Sequence, residues 1–252
     1  MNLLNRKFAS AYELLYLRNA DEFNPREFLK LVKGEMGKQK NAEDISKIPM
    51  EFALIYAFFD SRSYNLVSSN IDELRTMELL ATCFHRNNEL ERARELCDDM
   101  IFQNERVSLL PKATAYCIMG ETYILTDYEL SKYYLNKGLS LVASPSNQKM
   151  RKKQQMLQTT LYFLNIHFEK NLDYINPINP TERRYLYIKQ DMKQKADSLM
   201  EETKKQNGFL TTLQLFVQAL AREDMNLMRE ALLAFERNND LFYAELPKNV
   251  LK

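Results

Sequence analysis

Two stretches of this chain repeat one order of side-chain sizes, and that repetition restricts the fold more than any other feature. The first runs Met77, Leu80, Ala81, Phe84, a polar break at Asn87–Asn88, then Ala93, Cys97 and Met100. The second runs Tyr116, Met119, Gly120, Tyr123, a break at Thr126–Asp127, then Ser131, Leu135 and Gly138. Steps of three and four residues place each set on one face of a helix. Each stretch therefore reads as two helices joined by a tight turn, with a small residue (Ala81 or Gly120) where two helix backbones must approach closely. Both second helices are expected to open on a capping box, Thr126 with Glu129 and Asn88 with Glu91: a side-chain oxygen takes an unpaired backbone N–H, and a carboxylate reaches back.

This is the spacing of tetratricopeptide repeats, whose helical hairpins stack into a superhelix. Ala81 and Gly120 lie 39 residues apart, a little long for such a repeat, and Pro145 closes the second unit. Around them, Phe52–Ile71 reads as an earlier hairpin turning at Asp60–Ser63, after an N-terminal loop marked by Gly34 and Gly37. Met150–Lys170 reads as a further helix. Pro177 and Pro180 break the chain, since proline lacks a backbone N–H and forces its neighbour toward extended form. Arg183–Lys205 reads as one polar helix, and the last hairpin turns at Glu223–Asp224. With only 5 Gly and 7 Pro in 252 residues, little interrupts helix. The expected fold is all-α, a tetratricopeptide-like helical-hairpin superhelix. It is expected as a single domain over 1–252: N-terminal helices 1–50, repeats 51–170, a proline-containing break 171–182 and C-terminal helices 183–252.

Several function classes find no support. A net charge of +1 argues against binding nucleic acid by bulk electrostatics, and the basic cluster Lys149, Arg151, Lys152 and Lys153 reads as a solvated helix face. Cys83, Cys97 and Cys117 are widely spaced within apolar pattern, as buried reduced thiols are. No apolar run reaches membrane-spanning length and no signal-peptide core opens the chain, so the expected location is the cytoplasm. Phosphate loops, nucleophile elbows and metal-ligand spacings are all missing, so neither catalysis nor a cofactor is expected. His85 and His167, 82 residues apart, read as packing or surface residues. Tyr116, Tyr123, Tyr133, Tyr134, Tyr162 and Phe163 either fill the hairpin core or line a concave groove for peptides.

"MGETYILTDYELSKYYLNKGLSLV" (119–142) and "FERNNDLFYAELP" (235–247) carry residues outside the repeat consensus, notably "DYEL…KGLS" and "NND.F…LP". Both resemble the arbitrium receptors (AimR) of temperate Bacillus phages, which read a short secreted peptide to choose between lysis and lysogeny. The resemblance runs from near Ala11 to Leu251 and is weaker before Leu74. It implies a helix-turn-helix head, a tetratricopeptide-like superhelix and C-terminal capping helices that dimerise. The first residues here already match the repeat region and the chain stops soon after "ELPKNVLK", so a sensor region without head or capping end is expected, with no direct DNA binding.

The same resemblance places Asp240 where the family pairs an aspartate with a peptide arginine, followed by Phe242. It places Thr82, Arg86 and Glu121 where the family has asparagines, and adds Ile124 to the peptide-binding set. Leu110 stands where the family carries an arginine, with Arg106 nearby. Two functions follow as expectations. One is a peptide-sensing regulatory module whose partners are a short signalling peptide and a protein such as a full-length receptor. The other is a degenerate repeat scaffold that binds protein and senses nothing.

Overall fold

The computed structural model describes residues 77–102, 109–177 and 179–252, and the hairpin expected over Phe52–Ile71 and the loop at Gly34 and Gly37 lie outside them. The chain divides into two compact units, Met1–Arg106 and Val107–Lys252. Every regular element among the described residues is helical, as the sequence pattern requires.

In the first unit, α1 (77–86) and α2 (Leu90–Phe102) form a hairpin. Met77, Leu80, Ala81 and Phe84 on one helix, and Ala93, Cys97 and Met100 on the other, are all buried, as the shared size pattern predicts. The turn differs from the expected capping box. Asn88 does not open α2 but closes α1, taking a left-handed backbone (φ 62°) while its N–H and that of Glu89 bond back to His85 and Phe84. Asparagine tolerates this conformation because its short polar side chain adds little clash there. Glu91 spends its carboxylate on Arg94 at 2.6 Å.

The second unit begins with the most extensive helix pairing among the described residues, α3 (Leu109–Tyr123) against α4 (Tyr128–Leu141). Gly120, Ser131 and Gly138 are buried in the seam, and the Ser131 hydroxyl donates to the Gly120 carbonyl at 2.8 Å. Here too the cap sits one residue later than expected. The Asp127 carboxylate, on extended backbone, takes the Leu130 N–H at 3.0 Å, whereas the Thr126 hydroxyl turns back to the Tyr123 carbonyl. Asp and Thr both cap helices; the turn geometry aims only the aspartate at the open N–H. A full capping box does occur elsewhere, at Thr211 and Gln214.

Beyond α4 the helices continue as α5 (Gln148–His167), α6 (Pro180–Lys189), α7 (Lys193–Asn207), α8 (Thr212–Arg222), α9 (Met225–Arg237) and α10 (Glu245–Leu251). A 3₁₀ turn at Leu172–Tyr174 precedes the proline break. α5 packs on α3, α4 and α6; α6 on α7 and α8; α8 on α7 and α9; and α9 on α10. Lys149, Arg151 and Lys152 are exposed on α5, as a solvated face is. The single polar helix expected over Arg183–Lys205 is instead two, α6 and α7, hinged at Asp191 (φ 60°). The last hairpin turns at Glu223–Asp224 as expected, with Asp224 capping α9 through the Asn226 and Leu227 N–H groups.

One buried polar bond ties α4 to α5. The Tyr128 hydroxyl donates to Asn165 Oδ1 at 2.8 Å, and Asn165 is only 8% exposed. Tyr128→Phe keeps the ring but strands that oxygen, which costs about 1–3 kcal/mol when a buried acceptor loses its partner. Thermal denaturation of the variant should show a midpoint several degrees lower; an unchanged midpoint would mean that solvent satisfies Asn165.

Candidate functional site

Four elements of the second unit contribute side chains that bear electrostatically on Glu121 or on Tyr243. α3 contributes Glu121 from its last turn, one helical turn beyond Cys117. Lys153 and Thr160 come from α5, two turns apart and therefore on one side of it. α6 contributes Glu182 from its first turn, where Asn179 caps the Thr181 N–H and Pro180 fits the first helical position. The turn between α9 and α10 supplies Asp240 and Tyr243.

Aromatic contacts fix these elements together. Phe163 of α5 meets Tyr243 edge-on with ring centres 6.1 Å apart, and meets Tyr185 of α6 at 5.7 Å. His167 stacks on Phe163 at 5.9 Å and shares a 3.3 Å hydrogen bond with the Tyr185 hydroxyl. Burial and the nearby Lys189 ammonium hold the His167 imidazole below its ordinary pKa, so it is neutral near pH 7.

The electrostatics of the cluster follow from placing acids in a poorly solvated recess. Burial lifts the Glu121 carboxyl to about 7, and the Asp240 charge adds to the rise. A long hydrogen bond from the Cys117 thiol (3.8 Å) and the Lys153 ammonium work in the opposite direction. Burial pushes the Cys117 thiol itself well up, so it stays protonated and able to donate. Glu182 is only 6% exposed, and burial likewise raises its carboxyl to about 7. Its Oε2 has no hydrogen-bond partner among the described residues. Tyr243 is driven upward by burial first and then by Glu121, Asp240, Cys117 and Glu182. Three carboxyl groups from three separate elements thus bear on one phenol, an arrangement suited to a ligand that brings positive charge.

The residues expected to bind ligand fall into distinct settings. Asp240 and Glu121 are half-buried and share the recess. Asp240 also serves its own turn: its N–H bonds to the Phe235 carbonyl, and one carboxylate oxygen takes the Tyr243 N–H at a long 3.4 Å. Phe242 (3% exposed) and Ile124 (0%) are packed into the core beside Asp240 and Glu121 in sequence. Thr82 and Arg86 lie on α1 in the first unit, half-buried, and the Thr82 hydroxyl bonds to the Glu78 carbonyl of its own helix at 2.8 Å. The burial of Glu182 could not be read from the sequence, because a glutamate in a polar helix looks like any solvated side chain.

An open surface cavity of about 600 Å³ lies beside the proline break, lined by Asp173, Arg183 and Tyr187 among others, and holds none of these residues. Arg183 is already committed there to the Pro177 carbonyl through two bonds. Among the described residues no group of His, Cys, Asp and Glu could hold a metal, and no helix is long and apolar enough to cross a membrane.

Known proteins resemble this chain throughout. The model of the AimR transcriptional regulator-like family matches residues 1–252. An uncharacterized protein of Bacillus anthracis is 25% identical over 180 residues, covering 70% of this chain and 66% of that protein, so the match spans about two thirds of the relative's length. Among solved structures, one described as phAimR-Ligand superposes with a TM-score of 0.67 over 100% of this chain and 78% of its own, at 19% identity. Another, described as SeMet-phAimR, gives 0.60 over 98% and 67%, also at 19% identity. Identities this low establish a common fold.

Proposed function

We propose a function from the premise that the chain belongs to the AimR transcriptional regulator-like family, a family of regulators and not of enzymes. The chain is a regulatory module that receives a short peptide in the recess at Tyr243, with Asp240 and Glu121 facing the ligand. The observation that carries this reading is the convergence of those two half-buried carboxylates, from α3 and from the turn after α9, on one partly shielded phenol. Acids gathered in a poorly solvated place favour a ligand that brings positive charge beyond that of Lys153.

The description phAimR-Ligand belongs to a relative of the same fold, and supports a ligand-receiving role for this one. Binding would act by population shift: a peptide that contacts helices on both sides of the recess favours the arrangement in which they are closest. The changed surface is then read by a protein partner, such as a longer receptor of the same family.

Calorimetry against hexapeptides that each carry one internal arginine tests the reading. A saturable isotherm with micromolar or tighter affinity is the expected result. Absence of heat and of thermal stabilisation with every arginine peptide would overturn it in favour of a plain scaffold.

A further inference from the structure

The proline break leaves main-chain groups that no helix uses. Asn176 precedes Pro177 and Asn179 precedes Pro180, and a residue before proline is biased out of helix into extended form. Ile175 (φ −105°, ψ 135°) and Asn179 (φ −67°, ψ 127°) are both extended. No hydrogen bond among the described residues occupies the main-chain N–H or C=O of Ile175 or Asn176. Groups left this way are held by water or by a partner.

The cavity of about 600 Å³ joins this segment to one side of α6. Arg183, Leu186, Tyr187 and Gln190 line it, at steps of three and four that share a helix face. Ligand clefts commonly enclose about 300–1,000 Å³, so the space is of the right order. The Lys195 ammonium of α7 steadies the Tyr187 ring, 4.1 Å from its centre. The Tyr187 hydroxyl and the Gln190 amide bond to nothing among the described residues. Arg183 is anchored by Nε and Nη2, which donate to the Pro177 carbonyl at 3.1 and 3.0 Å, while Nη1 stays open. A carbonyl cancels no charge, and among the described residues no carboxylate pairs with Arg183. Asp173 also lines the cavity, and no cation pairs with it there.

We infer that this cavity is a docking groove for an extended segment of a partner protein. The segment pairs with the main chain of Ile175 and Asn176, and carries an acidic side chain for Arg183 and a basic one for Asp173. The inference stands apart from the recess at Tyr243, none of whose residues line this cavity. An extended chain is the ligand that matches unpaired main-chain groups: backbone bonds give affinity and side-chain pockets give specificity. The prolines set the wall in advance, so little freedom is lost there on binding. Arg183, held in place by Pro177, presents its remaining N–H groups for charge-assisted bonds to a carboxylate. A lone small ion would meet one of the two charges and leave the main chain unpaired.

The experiment pans a phage-displayed random octapeptide library on the immobilised full chain, and in parallel on Gln190→Trp and Asp240→Ala. Gln190 is exposed, so an indole there fills the cavity without entering the core. Peptides kept by wild type and by Asp240→Ala but lost on Gln190→Trp are the expected result. Each should hold one acidic and one basic residue among β-favouring ones. A terminally blocked copy of the most enriched peptide is then titrated by fluorescence anisotropy. N-methylation of its main chain should weaken it at least tenfold on the unaltered protein. Asn176→Pro, which deletes one main-chain donor from an extended position, should do the same. Arg183→Gln should remove the preference for the peptide's acidic residue over its amide. The inference is overturned if no peptide distinguishes wild type from Gln190→Trp, or if N-methylation and Asn176→Pro leave the affinity unchanged. Peptides lost only on Asp240→Ala belong to the recess; finding those alone would support the reading above and sink this one.

Discussion

Gly120→Leu should lower the thermal midpoint by roughly 10 °C, the largest stability loss expected from any single substitution discussed here. A Cβ added at Gly120 would lie 2.7 Å from Leu135 Cγ and 2.9 Å from Leu135 Cδ2, with the Ser131 carbonyl oxygen at 3.2 Å. Even one carbon forces a shift, and three more must then find room in the tightest seam of the second unit. Leu135 cannot yield easily, being fully buried itself. Overpacking of a well-filled core typically costs about 1–3 kcal/mol, and a site that rejects the first atom belongs at the upper end. Separating the helices would also pull the Ser131 hydroxyl from the Gly120 carbonyl, now 2.8 Å away. Differential scanning calorimetry of the variant decides the matter. A midpoint within a degree of wild type would mean that α3 and α4 can slide apart at no cost, and that the small residue does not set their distance.

The second large effect concerns the ligand. Asp240→Ala should weaken an arginine-bearing peptide by at least tenfold while leaving the fold nearly as stable. A carboxylate and a guanidinium partly shielded from water form charge-assisted hydrogen bonds, often in parallel pairs. Deleting one partner of such a pair at an interface costs about 2–5 kcal/mol; for a half-buried aspartate the lower end applies, which is still more than tenfold. Because one Asp240 oxygen also receives the Tyr243 N–H at 3.4 Å, a second variant separates the two duties. Asp240→Asn keeps an acceptor for the turn but removes the charge, so it should lose affinity almost as severely. Equal affinities for wild type and Asp240→Ala would leave this residue with its turn alone.

What could be read from the residues was decided by size and by local chemistry. Ala81, Gly120, Ser131 and Gly138 were legible because a close helix approach admits only small side chains, wherever the rest of the chain lies. The caps were legible only to within a residue. Thr126 and Asp127 are equally able to supply an accepting oxygen for a cap, and Asn88 suits either the end of one helix or the start of the next. Backbone torsion chooses between them, and torsion does not show in letters. The break inside Arg183–Lys205 was hidden for a related reason: Asp191 turns left-handed with neither glycine nor proline to announce it.

The recess was half legible. Asp240 and Glu121 were singled out by likeness to a family, whereas the burial of Glu182 shows in nothing local, since it depends on helices distant in sequence folding over it. The opposite held for Ile124 and Phe242. They look like groove residues beside charged neighbours, yet each is apolar enough to be drawn into the core, where both now sit.

The left-handed turns have an engineering consequence. Asn88, Glu169, Asn171, Asp191, Glu223 and Asn239 all hold positive φ without being glycine, in a chain that has few glycines to begin with. Asparagine bears that conformation lightly, whereas a glutamate carries a Cβ clash that glycine would not. Glu169 and Glu223 partly offset it through exposed ion pairs with Lys189 and Lys193, contacts of little worth in water. The loops therefore hold a reserve of robustness that designers can draw on. Glycine at 169 or 223 would harden the scaffold for expression and crystallisation without touching Glu121, Glu182 or Asp240, whereas Asn239, adjoining Asp240, is best left alone.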